Sequence, residues 1–169
     1  MQENQLRILT YNLHKGVSAG NRHFILHKIR DALIESDADI MFLQEMQGQH
    51  TGHEQTHQNW PNISRSEFLA HDRWPHFAYA KNVSYDAGHH GNAILSKYNI
   101  QHWENINVSP FAWASRSLLH GVISLPNQGG DIHIICIHLG LMAMERRRQF
   151  KTLCTRIDEY VPHDAPLIV

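Results

Sequence analysis

The alternation of apolar and polar positions opens on a strand. Leu6-Arg7-Ile8-Leu9-Thr10-Tyr11-Asn12 carries apolar or β-prone residues on both faces, as a strand inside a layered sheet does. A Gly/Ser/Asn loop over Val17 to Arg22 follows. From Phe24 to Ser36, the positions Ile25, Ile29, Ala32 and Leu33 recur at helical spacing and predict a one-sided helix that covers the sheet. The short apolar run Ile40-Met41-Phe42-Leu43 is bounded by charge and is too short for a helix, so it predicts a buried strand ending at Glu45. Strand, helix and strand in this order point to an α/β or layered α+β domain.

Beyond Glu45 the pattern weakens. Met46 to Ser66 reads as a long polar loop rich in histidine, and its His50, His53 and His57 would share one face if the segment were helical. Three such imidazoles could serve zinc, although no Cys or carboxylate at ligand spacing supports them. Glu67 to Trp74 predicts a short helix and Phe77-Ala78-Tyr79-Ala80 a strand. Gly88 to Asn92 reads as a turn leading into the strand Ala93 to Ser96. Ile100 to Val108 and Ser117 to Leu125 predict two more strands, and Asn127 to Gly130 a hairpin turn. Ile132 to Leu139 is the most strand-like run, with Ile132, Ile134, Cys136 and His138 on one face. Phe150, Leu153, Cys154, Ile157 and Val161 form a helical stripe between Met144 and Val161. Pro162 closes that helix, and Leu167-Ile168-Val169 begins a last strand.

Composition narrows the class. With 169 residues, 42% of them hydrophobic, the chain suits one globular unit with a real core. Fifteen Lys and Arg against sixteen Asp and Glu leave a formal net charge of −1, so no overall field draws long polyanions. Cys136 and Cys154 fall in apolar periodic segments and read most simply as buried free thiols of a reducing compartment, a disulfide being the alternative only if the two faces meet. The polar start and the lack of any membrane-length apolar run lead to the expectation of a cytoplasmic protein without a transmembrane segment.

The candidate chemistry sits at strand ends. Asn12, Glu45 and His138 each fall at the last position of a predicted strand, so one sheet rim could gather them. An amide oxygen and a carboxylate are hard donors of the kind magnesium takes beside water and substrate phosphate. An imidazole next to them could serve as acid, base or transition-state donor. Taken singly, each is ordinary: an Asn in a turn, a solvated Glu, a core His bonded to backbone.

Together, their surrounding motifs resemble the endonuclease/exonuclease/phosphatase superfamily, the group with the DNase-I-like fold. The matching pieces are Leu9-Thr10-Tyr11-Asn12-Leu13-His14, Ile40 to Glu45, Gly91-Asn92-Ala93-Ile94-Leu95-Ser96, Cys136-Ile137-His138-Leu139 and Glu145-Arg146-Arg147-Arg148-Gln149. They stand in the family's order across almost the whole chain, and the segments Asn12 to Gly16 and Gly88 to Asn92 are most similar to bacterial members. The resemblance implies an α/β layered β-sandwich with outer helices. It makes Glu45 the main metal ligand and Asn12 a helper that orients the metal or a phosphate oxygen. His138 would face the scissile phosphate and Arg116 would contact it, with His89, His90 and Asn92 as further substrate contacts. The Arg146-Arg147-Arg148 cluster reads first as a solvated helix face with one structural ion pair. The implied activity is a Mg²⁺-dependent phosphoesterase (Mn²⁺ possible) acting on a nucleic acid, lipid or small-molecule ester. A non-catalytic binding or assembly module of the same shape is the alternative, and a zinc protein built on the histidine-rich loop a third.

One departure shapes the expectation. The family continues past its last matched strand into a Gly-Asp-x-Asn-type loop and further acidic groups, and no such motif follows Leu167-Ile168-Val169. Residues 1–169 are therefore expected to be the N-terminal portion of one domain, roughly the first of two α/β halves. Strands such as Leu6 to Asn12 and Ile132 to Leu139 would then leave an apolar face for the missing C-terminal half.

Overall fold

The computed structural model describes residues 5–16, 25–50, 65–85, 88–109, 116–126 and 130–169. Two four-stranded sheets lie face to face. The first has the order β1 (Ile8–Asn12), β2 (Ile40–His50), β4 (Gly88–Ser96), β3 (His76–Tyr85). The second runs β5 (Ile100–Asn107), β6 (Ser117–Ser124), β7 (Asp131–Ile137), β8 (Leu167–Ile168). Only β1 with β2 and β7 with β8 pair in parallel, each across a helical connection, as parallel pairs require.

Three apolar layers hold this sandwich. Between the sheets, Ile40, Phe42 and Ile94 meet Leu119, Ile123, Ile134 and Cys136. Outside the first sheet, Leu26, Ile29 and Leu33 of α1 (Leu26–Ser36), with Phe68 and Leu69 of α2 (Arg65–Ala70), pack on Met41, Leu43, Ala93 and Leu95. Outside the second, Leu153 of α3 (Ala143–Tyr160) packs on Leu118 and Ile135. Residues 40–43 of β2 thus go alternately to different cores, which is why this run is apolar throughout. Trp74, 1% exposed, anchors the lower edge by donating its indole N–H to the Ala38 carbonyl at 2.9 Å.

Several expectations change. The anticipated half-fold already contains strands of both sheets, so β7 is covered on one face by the first sheet and on the other by α3. Exposed apolar side chains fall instead on edge strands, Ile8 and Tyr11 on β1, Phe77 on β3 and Trp103 on β5. Strand β2 does not stop at Glu45 but runs to His50, and residues 88–92 are strand rather than turn. These two segments satisfy each other's backbone, which a polar sequence conceals. His53 and His57 lie outside the described residues, as do the loop at 17–22 and most of the turn at 127–130. Cys154 is exposed, not buried, because the core face of α3 is rotated onto Gln149 and Leu153. Phe150 is correspondingly exposed.

Candidate active site

Glu45 sits where β2 breaks register. Leu43 pairs with Ala93 but Met46 pairs with Gly91, so β2 carries one extra residue there, a β-bulge. Glu45 takes the left-handed backbone conformation, φ 53°, which costs a non-glycine residue on the order of 1 kcal/mol. Gly91 opposite the bulge admits no side chain, because a Cβ would collide with the Ala80 carbonyl. A strained bulge re-aims a side chain that regular pleating would send into a core.

Re-aimed, the Glu45 carboxylate lies between two imidazoles. His138 Nε2 stands 3.8 Å from Glu45 Oε1, and His14 Nδ1 stands 3.7 Å from Oε2. His138 follows the last residue of β7, so the carboxylate of one sheet meets the imidazole of the other at a common rim. Asn12 ends β1 with its Cα paired to Gln44, which places it beside the residue preceding Glu45. Its Oδ1 accepts the backbone N–H of His14 at 3.0 Å, fixing the turn that follows. His14, Lys15 and Gly16 all have positive φ, so three consecutive left-handed residues carry the chain past Glu45.

Alternation along β4 sorts its candidates. His90 and Asn92 share a face with Ile94, which points between the sheets. His89 shares its face with Ala93 and Leu95, on the helix side. There it exchanges a 2.9 Å hydrogen bond with the Tyr79 hydroxyl and covers Gly48. The structure therefore separates His89 from the other candidates. Asn92 is fully buried and bridges the sheets, its Nδ2 donating to the Ser117 carbonyl at 3.0 Å, while its Oδ1 has no hydrogen-bond partner among the described residues. Arg116 precedes Ser117 and is held by its backbone, which donates to Ser109 Oγ at 2.9 Å.

Charge ties these groups into one site. Burial lowers the His138 pKa below the ordinary histidine value, the Arg116 guanidinium lowers it further, and Glu45 opposes the shift. His90 is lowered by burial, then by Lys15 and Arg116, again against Glu45. Asn12, Glu45, His90, Asn92, Arg116 and His138 are thus gathered at one end of the sandwich. His14 and Lys15 join them; their signal was their place two and three residues after Asn12.

Among the described residues, no cluster of three or more His, Cys, Asp or Glu side chains could hold a metal. That leaves a hard donor set of one carboxylate, Glu45, and one amide oxygen, Asn12. Such a set fits magnesium, which keeps waters and substrate oxygens in its shell, better than zinc, which takes a closed cage of nitrogen and sulfur.

The family model for the endonuclease/exonuclease/phosphatase family matches residues 9–169. The uncharacterized protein YbhP of Escherichia coli strain K12 is 44% identical over 168 residues, covering 99% of this chain and 66% of its own length. A Danio rerio TDP2 structure complexed with single-strand DNA product is similar in fold, with TM-score 0.62, 18% identity, and 98% and 59% of the two chains covered. A mannosyl-6-phosphatase from Bacteroides thetaiotaomicron is likewise similar, with TM-score 0.64, 15% identity, and 96% and 63% covered. The sandwich is DNase-I-like, and the chain, which spans 66% of the length of the curated relatives it matches, belongs to the endonuclease/exonuclease/phosphatase family.

Proposed function

We propose that the complete protein is a divalent-metal-dependent phosphoesterase whose site is built around Glu45. The observation that carries this reading is the strained bulge: a left-handed glutamate stabilises nothing by its backbone, yet it delivers a carboxylate to the rim where the two sheets meet. Glu45 and Asn12 would hold Mg²⁺ or Mn²⁺, and the ion would supply charge neutralisation at the phosphate and an acidified water. Arg116 has the planar fork that matches two phosphate oxygens. His138, whose pKa burial and then Arg116 lower, would as neutral imidazole donate one N–H hydrogen bond to a phosphate oxygen and accept a proton at its other nitrogen. Asn92 braces the rim by joining β4 to the start of β6.

The substrate is a phosphate ester, and its class is not chosen by fold, since similar structures include one with a single-strand DNA product and a sugar phosphatase. Two hard ligands leave a magnesium ion mostly hydrated, so further acidic groups of the complete protein are needed to fix it. Residues 1–169 alone should therefore fold but not turn over. The test assays the complete protein on phosphodiester and phosphomonoester substrates, with Mg²⁺, with Mn²⁺ and with chelator. Turnover that needs the ion and disappears in Glu45→Gln is expected; a folded protein that binds esters without turnover would identify a binding module.

A further inference from the structure

The connection from β7 to α3 presents apolar side chains to water in a fixed arrangement. Leu141 is 88% exposed, Met142 64% and Met144 67%. The loop that bears them is pinned from below. The Gly140 N–H donates to Oε1 of the buried Gln149 at 2.8 Å, while Gln149 Nε2 donates to the Val108 carbonyl. Arg146 donates to the carbonyls of Gly140 and Leu141, and Glu145 accepts the Met142 N–H at 3.3 Å. The apolar ridge is thus a built feature, three residues beyond His138.

The helix that follows adds charge to the same side. Met144, Arg147, Arg148 and Lys151 are exposed and fall at i, i+3, i+4 and i+7, opposite the buried Gln149 and Leu153. The stripe ends at Asp158. These cations lie in the early turns of α3, and its last turn carries none. Arg147, Arg148 and Lys151 all lie outside the first and last turns, where a helix dipole acts on charges, so the dipole does not account for them. The chain as a whole is near neutral, which makes the local concentration of positive charge stand out.

Apolar side chains standing beside a basic stripe match an anionic lipid surface, where each part has its own complement: acyl chain for the ridge, headgroup for the stripe. A nucleic-acid backbone would engage the cations and leave Leu141, Met142 and Met144 in water. We infer that Leu141, Met142 and Met144, with Arg147, Arg148 and Lys151, form a docking surface for an anionic bilayer, which would set the rim bearing His138 against the membrane.

The test is sedimentation of the complete protein with vesicles of phosphatidylglycerol and phosphatidylcholine, beside pure phosphatidylcholine. Binding to the anionic vesicles alone, weakened by salt, is expected. The triple change Leu141→Ser, Met142→Ser, Met144→Ser should lower the partition coefficient at least tenfold. Arg147→Glu, Arg148→Glu and Lys151→Glu together should lower it about a hundredfold. Because a multiple variant can misfold, Leu141→Trp serves as a second probe, with a blue shift of its emission on adding anionic vesicles. Absence of vesicle binding, binding that ignores the apolar triple change, or an unshifted Leu141→Trp spectrum overturns the proposal. So does protection of Met142 and Met144 from peroxide in the lipid-free protein, which would show that its own chain covers the ridge.

Discussion

Two groups of histidines, one on the outer face of the second sheet and one at the rim, differ in how completely they satisfy one another. On the outer face of the second sheet, Arg156 Nε donates to His120 Nδ1 at 3.0 Å, and His120 Nε2 meets His133 Nδ1 at 2.9 Å. The same guanidinium pairs with Glu104 at 2.6 Å and stacks over the Tyr160 ring. Since Arg156 can only donate, His120 must carry its proton on Nε2 and donate it to His133. Both ring nitrogens of His120 and Nδ1 of His133 have partners, which describes a structural network joining α3 to the sheet. At the rim, by contrast, Glu45 stands 3.7 and 3.8 Å from two imidazoles, beyond hydrogen-bond reach. Asn92 Oδ1 is buried nearby in the same region without a hydrogen-bond partner among the described residues. The Glu45 carboxylate, a quarter exposed, is held between the imidazoles without being bonded to them, which leaves its oxygens open to water or a ligand.

Substitutions should separate the two groups. The largest effect belongs to the rim. Glu45→Gln in the complete protein is expected to lower turnover on the order of 10²–10³-fold while its unfolding midpoint stays near wild type. Glu45→Gly sharpens the point, since glycine relieves the positive φ, and its stability should stay within about 1 kcal/mol of wild type with activity still lost. Steady-state assays beside urea unfolding check both. A joint loss of folding and activity would make the carboxylate structural.

The outer network should show itself in the pH dependence of stability rather than in catalysis. Burial, with Arg156 close by, lowers His120 from 6.5 to about 4, and burial also lowers His133. A histidine with a depressed folded-state pKa binds its proton more readily when unfolded. Its stabilising contribution is therefore complete above about pH 6.5 and is lost as the pH falls toward about 4. His120→Gln keeps an acceptor for Arg156 but cannot titrate, so its melting temperature should fall less steeply between pH 7 and pH 4.5. A parallel decline in both proteins would remove His120 from the account.

The smallest effect concerns the thiols. Cys136 is buried with its pKa pushed up to about 12, whereas Cys154 is exposed. A thiol reagent should label one cysteine in the native protein and a second only after unfolding, with no change in activity from the first.

Much of this contrast was legible in the sequence, and the exceptions have physical causes. The apolar runs at 40–43 and 132–137 located the central strands, because a strand buried on both faces cannot hide its composition. Glu45 and His138 stood out as polar groups at the ends of those strands, as Asn12 did at the end of 6–12. The bulge was invisible, since a polar strand continuing past Glu45 has the composition of a loop. With the continuation missed, 88–92 also read as a turn, and the opposed faces of His89 and His90 could not be assigned. Gln149 escaped notice because a buried glutamine breaks an apolar stripe, although its amide ties Gly140 to Val108. His120 and His133 are separated by thirteen residues, and only the pairing of β6 with β7 makes them neighbours.

The most direct test of the central claim is metal-dependent turnover in the complete protein, compared between wild type and Glu45→Gln under conditions where both are shown to be folded. The account predicts hydrolysis of a phosphate ester that requires Mg²⁺ or Mn²⁺, is abolished by chelator, and is lost in Glu45→Gln without loss of stability. Hydrolysis that survives the chelator, or that proceeds undiminished in Glu45→Gln, would contradict it.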